Sequence, residues 1–339
     1  MSFSTKVSFS TNKLSLSLES YFAQHQVHDD LPISVSLNNE TLTLAEQVVQ
    51  VSSNKELVVF SDLSIANLAA LQTVSHLSIN ALTAINTRNN QTSYRFNISC
   101  DDFIVARKSL ADFALEQGIE AALIADAPRL NEPGLLVMDM DSTTIEIECI
   151  DEIAKLAGVG EQVAAVTELA MQGELDFAES LHQRVATLSN APETILADVA
   201  KNIPLMAGLE TLIAELKKHN WRIAVASGGF TYFADHLKNL LNLDATFANV
   251  LEISDGKLTG KVLGSVVDAQ VKADSLTLLA KQYEIPAKQT VAMGDGANDL
   301  VMMAAASFGV AFHAKPIVLA QADSAINQQG LDCLLHWLA

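Results

Sequence analysis

Apolar and polar positions divide the chain into stretches of different rhythm. Residues 1 to 55 are polar and rich in serine, and LPISVSL is the one stretch in them that alternates clearly enough to predict a strand. From residue 56 the pattern sharpens. ELVVFS and EAALIAD read as strands, ALTAINT and SYRFNIS as strands around the polar turn RNNQ, and IANLAALQTVSHL and VARKSLADFALEQG carry apolar residues at helical spacing. The order β-α-β-β-α-β over residues 56–127 predicts a ferredoxin-like unit. APRLNEPG, residues 127 to 134, with two prolines and a glycine, marks a boundary.

Beyond it, in residues 133–339, helices alternate with short apolar strands: LLVMDMD, GLETLIAELKKHNW into RIAVAS, TYFADHLKNLLNL, AQVKADSLTLLAKQYEI into TVAMGD, then NDLVMMAAA and FGVAF. This rhythm predicts an α/β fold, a doubly wound parallel sheet covered on both faces. Asp255-Gly256 between two alternating arms predicts a hairpin. Between about residues 146 and 203 only helical patterns remain, an inserted helical cap. Ligands of open α/β sheets bind beyond the C-terminal strand ends, so an insertion leaving that edge would cover the site as a lid.

Composition narrows the class. A hydrophobic fraction of 49% with 18% charged residues describes a globular protein. Lys and Arg number 21 against 40 acidic residues, a formal charge of -19, which argues against nucleic acid or an anionic membrane as partner. An anionic ligand must then be held by local cations. Cys100, Cys149 and Cys333 are an odd count without metal-site spacing and are expected to be buried free thiols. MSFSTKVSFSTNKLSLSLES has no basic segment followed by an apolar core, and no apolar run reaches bilayer-spanning length, so a cytoplasmic protein is expected.

The candidate chemistry sits at strand ends. Asp139 and Asp141 close LLVMDMD, and positions i and i+2 of a strand face one way, so the two carboxylates should converge. Their mutual repulsion calls for a nearby cation. Ser227, followed by Gly228 and Gly229, ends a second strand, Gly294 and Asp295 a third, and Lys272 lies in a helix between them. Singly, the acids read as helix caps and Lys272 as a solvated helix residue. In order, DMDST, VASG, Lys272 and GDGAND resemble the haloacid dehalogenase superfamily.

That resemblance implies Mg2+-dependent phosphoryl transfer. Asp139 would be the nucleophile, and Asp141 the acid and then the base. Asp139, Asp295 and the backbone carbonyl of Asp141 would hold the metal, with Asp299 supporting it. Lys272 and the Ser227 hydroxyl would hold the remaining phosphoryl oxygens.

The cap speaks to the substrate. In DFAESLHQRVATL, Phe177, Leu181, Arg184, Val185 and Leu188 share a helix face, so an arginine interrupts an apolar stripe. Its planar fork suits a carboxylate, and Glu148 at the start of the cap suits an ammonium group. DMDSTTIEIECIDEIAKLAGVG, MQGELDFAESLHQRV, VASGGF and MGDGAND, across roughly residues 133 to 335, resemble the phosphoserine phosphatase family. That resemblance implies that Glu148, Met171, Phe177 and Arg184 line the serine part of a pocket and that Ser227, Gly228, Lys272 and Asn298 bind substrate. The family's usual phenylalanine between the two aspartates is Met140 here.

The function so implied is hydrolysis of O-phospho-L-serine, the last step of serine biosynthesis, with a small molecule as partner and a homodimer left open. Two other readings stand beside it: a superfamily phosphatase of another small phosphomonoester, and an amino-acid-sensing regulator, since the element order of residues 56–127 resembles the ACT domain.

Overall fold

A computed structural model describes residues 8–25, 31–38, 41–48, 54–171 and 174–339. The chain divides between Ala127 and Pro128, inside APRLNEPG, into two units.

The first unit begins with β1 (Ser8–Thr11), α1 (Leu18–Gln24), β2 (Ile33–Leu37) and β3 (Leu42–Val48). It continues with β4 (Lys55–Phe60), α2 (Ile65–Val74), β5 (Leu77–Arg88), β6 (Gln91–Cys100), α3 (Phe103–Gln117) and β7 (Ala121–Ala125). Its sheet runs β1-β3-β2-β5-β6-β4-β7, and every pairing is antiparallel. The β5-β6-β4-β7 portion has the ferredoxin-like order, and Asn89 and Asn90, both at positive φ, make the tight turn predicted between β5 and β6. The first 55 residues supply more than the one predicted strand: β1 and β3 pair with each other and β2 joins them to β5. α1 is capped by Ser17, which accepts from the Ser20 N–H at 3.2 Å, and buries Leu18, Tyr21 and Phe22 in the same core as Leu57, Phe96 and Leu110.

The second unit contains β8 (Leu135–Met138), α4 (Cys149–Ala157), α5 (Gly160–Met171), α6 (Phe177–Thr187), α7 (Thr194–Ala200), α8 (Leu209–Lys218) and β9 (Arg222–Phe230). After these come α9 (Thr231–Leu241), β10 (Ala245–Ser254), β11 (Lys257–Leu263), α10 (Ala269–Gln282), β12 (Thr290–Gly294), α11 (Leu300–Ala305), β13 (Phe308–Phe312) and α12 (Pro316–Leu319). The strands run β11-β10-β9-β8-β12-β13, parallel except for the β10–β11 hairpin. β8 lies at the middle with all four residues fully buried, as a strand covered on both faces must be, which explains its unbroken apolar run. Asp255 and Gly256 turn the hairpin at φ 50 and 74.

α4 to α7 form the insertion between β8 and β9, and no described residue in it is a strand. The hairpin is tied to it: the Asn190 N–H donates to the Leu258 carbonyl at 2.8 Å, and the Leu258 N–H returns to Ala191 at 2.9 Å. Gly260, at φ 83, is the residue that permits this approach, because a Cβ there would lie 3.0 Å from Ser189.

Asp323–Ala339, which the sequence pattern runs on into the second domain, cluster instead with the first unit as β14 (Ser324–Ile326) and α13 (Leu334–Trp337). Buried polar groups account for this. Arg95 on β6 is 2% exposed, pairs with Glu56, and donates to the carbonyls of His336, Trp337 and Leu338 at 3.0, 2.7 and 2.6 Å. Glu120 accepts the backbone N–H groups of Asn327, Gln328 and Gln329. These bonds supply partners that a buried ion otherwise lacks. All three cysteines are free; Cys149 and Cys333 are buried, whereas Cys100 is partly exposed. Among the described residues no helix is long and apolar enough to cross a membrane.

Candidate active site

The C-terminal ends of β8, β9 and β12 meet the cap around a cleft of about 880 Å³ lined by Asp139, Asp141, Ser227, Gly228, Asp295 and Asn298 from the sheet side and Glu148, Phe177 and Arg184 from the insertion. Met171 closes α5, but its side chain lies outside the described residues.

Asp139 and Asp141 do converge on the cleft, but not by the predicted strand alternation. β8 ends at Met138, and the chain then folds over the Met140 carbonyl, which accepts from the N–H groups of Thr143, Thr144 and Ile145 at 3.3, 2.8 and 3.0 Å. The turn requires Ser142 at φ 57. Two buried threonines fasten it: Thr144 Oγ1 donates to the Asp139 carbonyl at 2.5 Å and Thr143 Oγ1 to Asp295 at 3.3 Å. Asp139 is itself fixed, its N–H donating to Met293 at 2.9 Å and its Oδ1 accepting from the Met140 N–H at 2.7 Å.

Lys272 is not the solvated helix residue that its position read alone suggests. It is fully buried, and its ammonium contacts Asp139 Oδ2 at 2.7 Å and Asp299 Oδ1 at 2.8 Å. Burial opposes its charge, but the two carboxylates outweigh burial and raise the ammonium above its ordinary value. In this geometry it neutralises the two acids at the back of the cleft. Asp299, also fully buried, completes the arrangement by accepting the Gly296 N–H at 3.0 Å, and burial followed by the charge of Asp139 pushes its carboxyl upward.

Glu148 occupies the N-cap position of α4 but makes no side-chain capping bond; its carboxylate instead accepts from the Ser142 hydroxyl at 2.8 Å. The capping explanation for this acid therefore fails. Phe177 opens α6 behind a capping box of Asp176 and Glu179. Gly228 faces the Phe177 ring, and a Cβ there would collide with it. Arg184 is half-buried, its Nε 3.4 Å from the Ser180 carbonyl; burial lowers it from its ordinary value, against the opposing pull of Asp151, Glu148 and Asp141. Leu181, Val185 and Leu188 on the same helix face are buried, as the stripe predicts. Ser227 Oγ accepts the Gly229 N–H at 2.8 Å, which fixes the end of β9.

A family model of haloacid dehalogenase-like hydrolases matches residues 134–307, which contain every catalytic candidate above. The chain belongs to that family. A phosphoserine phosphatase from Vibrio cholerae serotype O1 is 61% identical over 213 residues, 63% of this chain; the match spans 65% of that relative's length. In solved structures, the fold is similar to that of a probable phosphoserine phosphatase from Vibrio cholerae in unliganded form, with a TM-score of 0.73, 46% identity, and 86% of this chain and 88% of that chain covered. It is also similar to a phospho-aspartyl intermediate analogue of phosphoserine phosphatase, with a TM-score of 0.58 and 41% identity over 61% of this chain and 100% of that one.

This hydrolase carries an oxygen-only donor set suited to a hard divalent cation. Carboxylate oxygens of Asp139, Asp295 and Asp299 lie within 4.8 Å of one another. Burial first, then the charges of Asp139 and Glu148, push Asp295 up to about 6, against the relief from Lys315. A cation among these oxygens would remove that strain. Burial, then Glu148 and Asp139, likewise push Asp141 well above the ordinary carboxylate range, and its Oδ1 is a buried atom with no hydrogen-bond partner. This surrounding favours the proton-bearing form of Asp141, the form that can donate.

Sequence reasoning missed three residues. Asn249 on β10 is 1% exposed, donates to the Gly228 carbonyl and accepts the Val267 N–H, both at 2.8 Å, so it joins the β9 end to the approach to α10. Its signal was a lone amide inside the apolar pattern of ATFANVLEIS. Asp151 and Lys315 line the cleft; Asp151 stands inside the stretch DMDSTTIEIECIDEIAKLAGVG without a role of its own there, and Lys315 stands in none of the motifs quoted above.

Proposed function

We propose that the protein is a Mg2+-dependent phosphatase that hydrolyses O-phospho-L-serine to L-serine and phosphate through an aspartyl phosphate on Asp139, the closing step of serine biosynthesis in the cytoplasm. The observation that carries this reading is one cleft holding Asp139, Asp141 and Asp295 together with Arg184 and Glu148. The first three suit a phosphoryl group, and the last two suit the carboxylate and ammonium of an amino acid. The likeness to phosphoserine phosphatases, one of them a phospho-aspartyl intermediate analogue, supports the same substrate and intermediate.

Asp139, Asp295 and the backbone carbonyl of Asp141 would hold Mg2+, with Asp299 behind them. Mg2+ when bound supplies positive charge that offsets the phosphate dianion and lets a carboxylate approach it. An oxygen of Asp139 attacks phosphorus while the bond to the serine oxygen breaks, and Asp141 gives its proton to that oxygen. Asp141 then takes a proton from water, whose oxygen attacks the phosphoryl group, breaks the bond to Asp139 and releases phosphate. Lys272 holds the Asp139 side chain in place through its 2.7 Å contact. Lys272 and the Ser227 hydroxyl would hold the remaining phosphoryl oxygens, Gly228 and Asn298 would also contact the substrate, and Phe177 and Met171 would close the apolar side of the serine pocket.

Arg184→Ala tests the substrate. Losing a charged, forked partner for the substrate carboxylate should lower kcat/KM for phosphoserine by about 10²-fold, mostly in KM. Hydrolysis of phosphoethanolamine, which has the ammonium but no carboxylate, should change less than about threefold. An equal fall on both compounds would remove the carboxylate-receptor role and with it the case for phosphoserine.

A further inference from the structure

The parallel ladder between β9 and β10 breaks at the site. Phe247 pairs with Ala226 and Asn249 with Phe230, so Ser227, Gly228 and Gly229 stand against Ala248 alone. Where one strand carries extra residues the regular backbone bonds are interrupted, and the polar backbone groups there need other partners. Asn249 supplies one. Its Nδ2 donates to the Gly228 carbonyl at 2.8 Å, and its Oδ1 accepts the Val267 N–H at 2.8 Å. The amide can sit only this way round, because a carbonyl accepts and an N–H donates. Asn249 is 1% exposed, so water does not compete for either bond.

Holding the Gly228 carbonyl fixes the plane of the peptide between Gly228 and Gly229, since the carbonyl and N–H of one peptide share a plane and point opposite ways. The N–H of that same peptide donates to Ser227 Oγ at 2.8 Å. A hydroxyl has one proton and two lone pairs. With one lone pair of Oγ engaged by Gly229, the proton is turned away from that N–H and can serve a phosphoryl oxygen in the cleft that Ser227 lines. This peptide borders the reacting groups: a Cβ on Gly229 would lie 3.2 Å from Asp141 Oδ2. Asn249 stands behind it, outside the lining of the cleft.

We propose that Asn249 is a positioning residue of the reaction, which aims the Ser227 hydroxyl at the phosphoryl group through the peptide between Gly228 and Gly229. This role rests on the phosphatase reading but not on serine as the leaving group. A double-mutant cycle of Asn249→Ala with Ser227→Ala tests it. Asn249→Ala alone should lower kcat/KM for phosphoserine and for phosphoethanolamine by about tenfold each, because the loss falls at the phosphoryl end that both share. Made on top of Ser227→Ala it should cost less than about twofold, because the hydroxyl it aims is already gone. Asn249→Ser, polar but too short to span both partners, should repeat the pattern and serves if the alanine variant does not fold; urea unfolding with an unchanged slope identifies the folded variants. Calorimetric titration of the Mg2+-loaded proteins with inorganic phosphate needs no turnover and should show the same coupling, about fivefold weaker binding in Asn249→Ala and no further loss in the double variant. That pattern in a protein inactive on phosphoserine would overturn the serine reading and still uphold Asn249. Equal losses in the two backgrounds would overturn the proposal, since Asn249 would then act through Val267 and the approach to α10, or through the fold alone. A loss on phosphoserine that spares phosphoethanolamine would overturn it too, by placing the effect at the serine end.

Discussion

Asp139→Asn is expected to lower phosphoserine turnover by at least about 10⁴-fold, the scale of losing a covalent nucleophile. The amide keeps an oxygen that can accept from the Met140 N–H, now bonded to Oδ1 at 2.7 Å, so the turn after β8 can stay closed. It lacks the negative charge that attacks phosphorus, and it turns an NH2 toward Lys272, where Oδ2 now sits at 2.7 Å. Some stability should therefore be lost along with the activity. Urea unfolding of the variant separates the two effects: a cooperative transition with an unchanged slope shows that the fold is intact while turnover is gone. Acid quenching during turnover should add one phosphoryl mass to the peptide carrying Asp139 in the unchanged protein and none in the variant. Residual activity above about 1% would exclude Asp139 as the nucleophile.

Lys272→Met is expected to produce the largest loss of stability of any single change at the site. The ammonium is fully buried between two carboxylates, and deleting one partner of a buried ion cluster costs about 3–5 kcal/mol because the remaining charges stay behind unpaired. The pH dependence has a definite sign. Without Lys272, a carboxyl such as Asp299, already pushed upward by burial and by Asp139, rises further, so the folded state binds a proton that the unfolded state does not. Stability then falls as pH rises through that interval, and protonation at lower pH relieves it. The deficit against the unchanged protein should be largest at pH 7 and above and should shrink toward pH 5. Denaturant unfolding at both pH values measures it; a deficit under about 1 kcal/mol at pH 7 would show that Lys272 does not carry the buried charge balance.

Different parts of the molecule were legible in the sequence for different reasons. The parallel sheet of the second unit was readable because its strands are buried on both faces and its helices are amphipathic, so each element announces its environment locally. The site was readable because its side chains leave consecutive strand ends in fixed order. What could not be read is what depends on partners far along the chain. β1, SFST, has one apolar residue and β3, LTLAEQV, alternates over its first half alone, so the two make sense only when paired with each other and, through β2, with β5. The return of Asp323–Ala339 to the first unit depends on Arg95 and Glu120, charged residues that a pattern of apolar positions treats as exposed.

Lys272 carries the same lesson inside the site. Its place in the motif order was evident, but its burial and its two carboxylate contacts could not be derived from a helix pattern in which it looked solvated. Glu148 is the opposite case: its position at a helix start favours a cap, and only the contact with Ser142 shows that the side chain turns away from that task.

The central claim is that clustered acids become a phosphoryl acceptor when a divalent cation balances them. Its most direct test is the initial rate of phosphoserine hydrolysis by protein stripped with a chelator, dialysed, and then titrated with Mg2+. The account predicts no turnover above background in the stripped protein and recovery along a saturable Mg2+ curve. Hydrolysis by the stripped protein at the rate of the Mg2+-loaded form would contradict it.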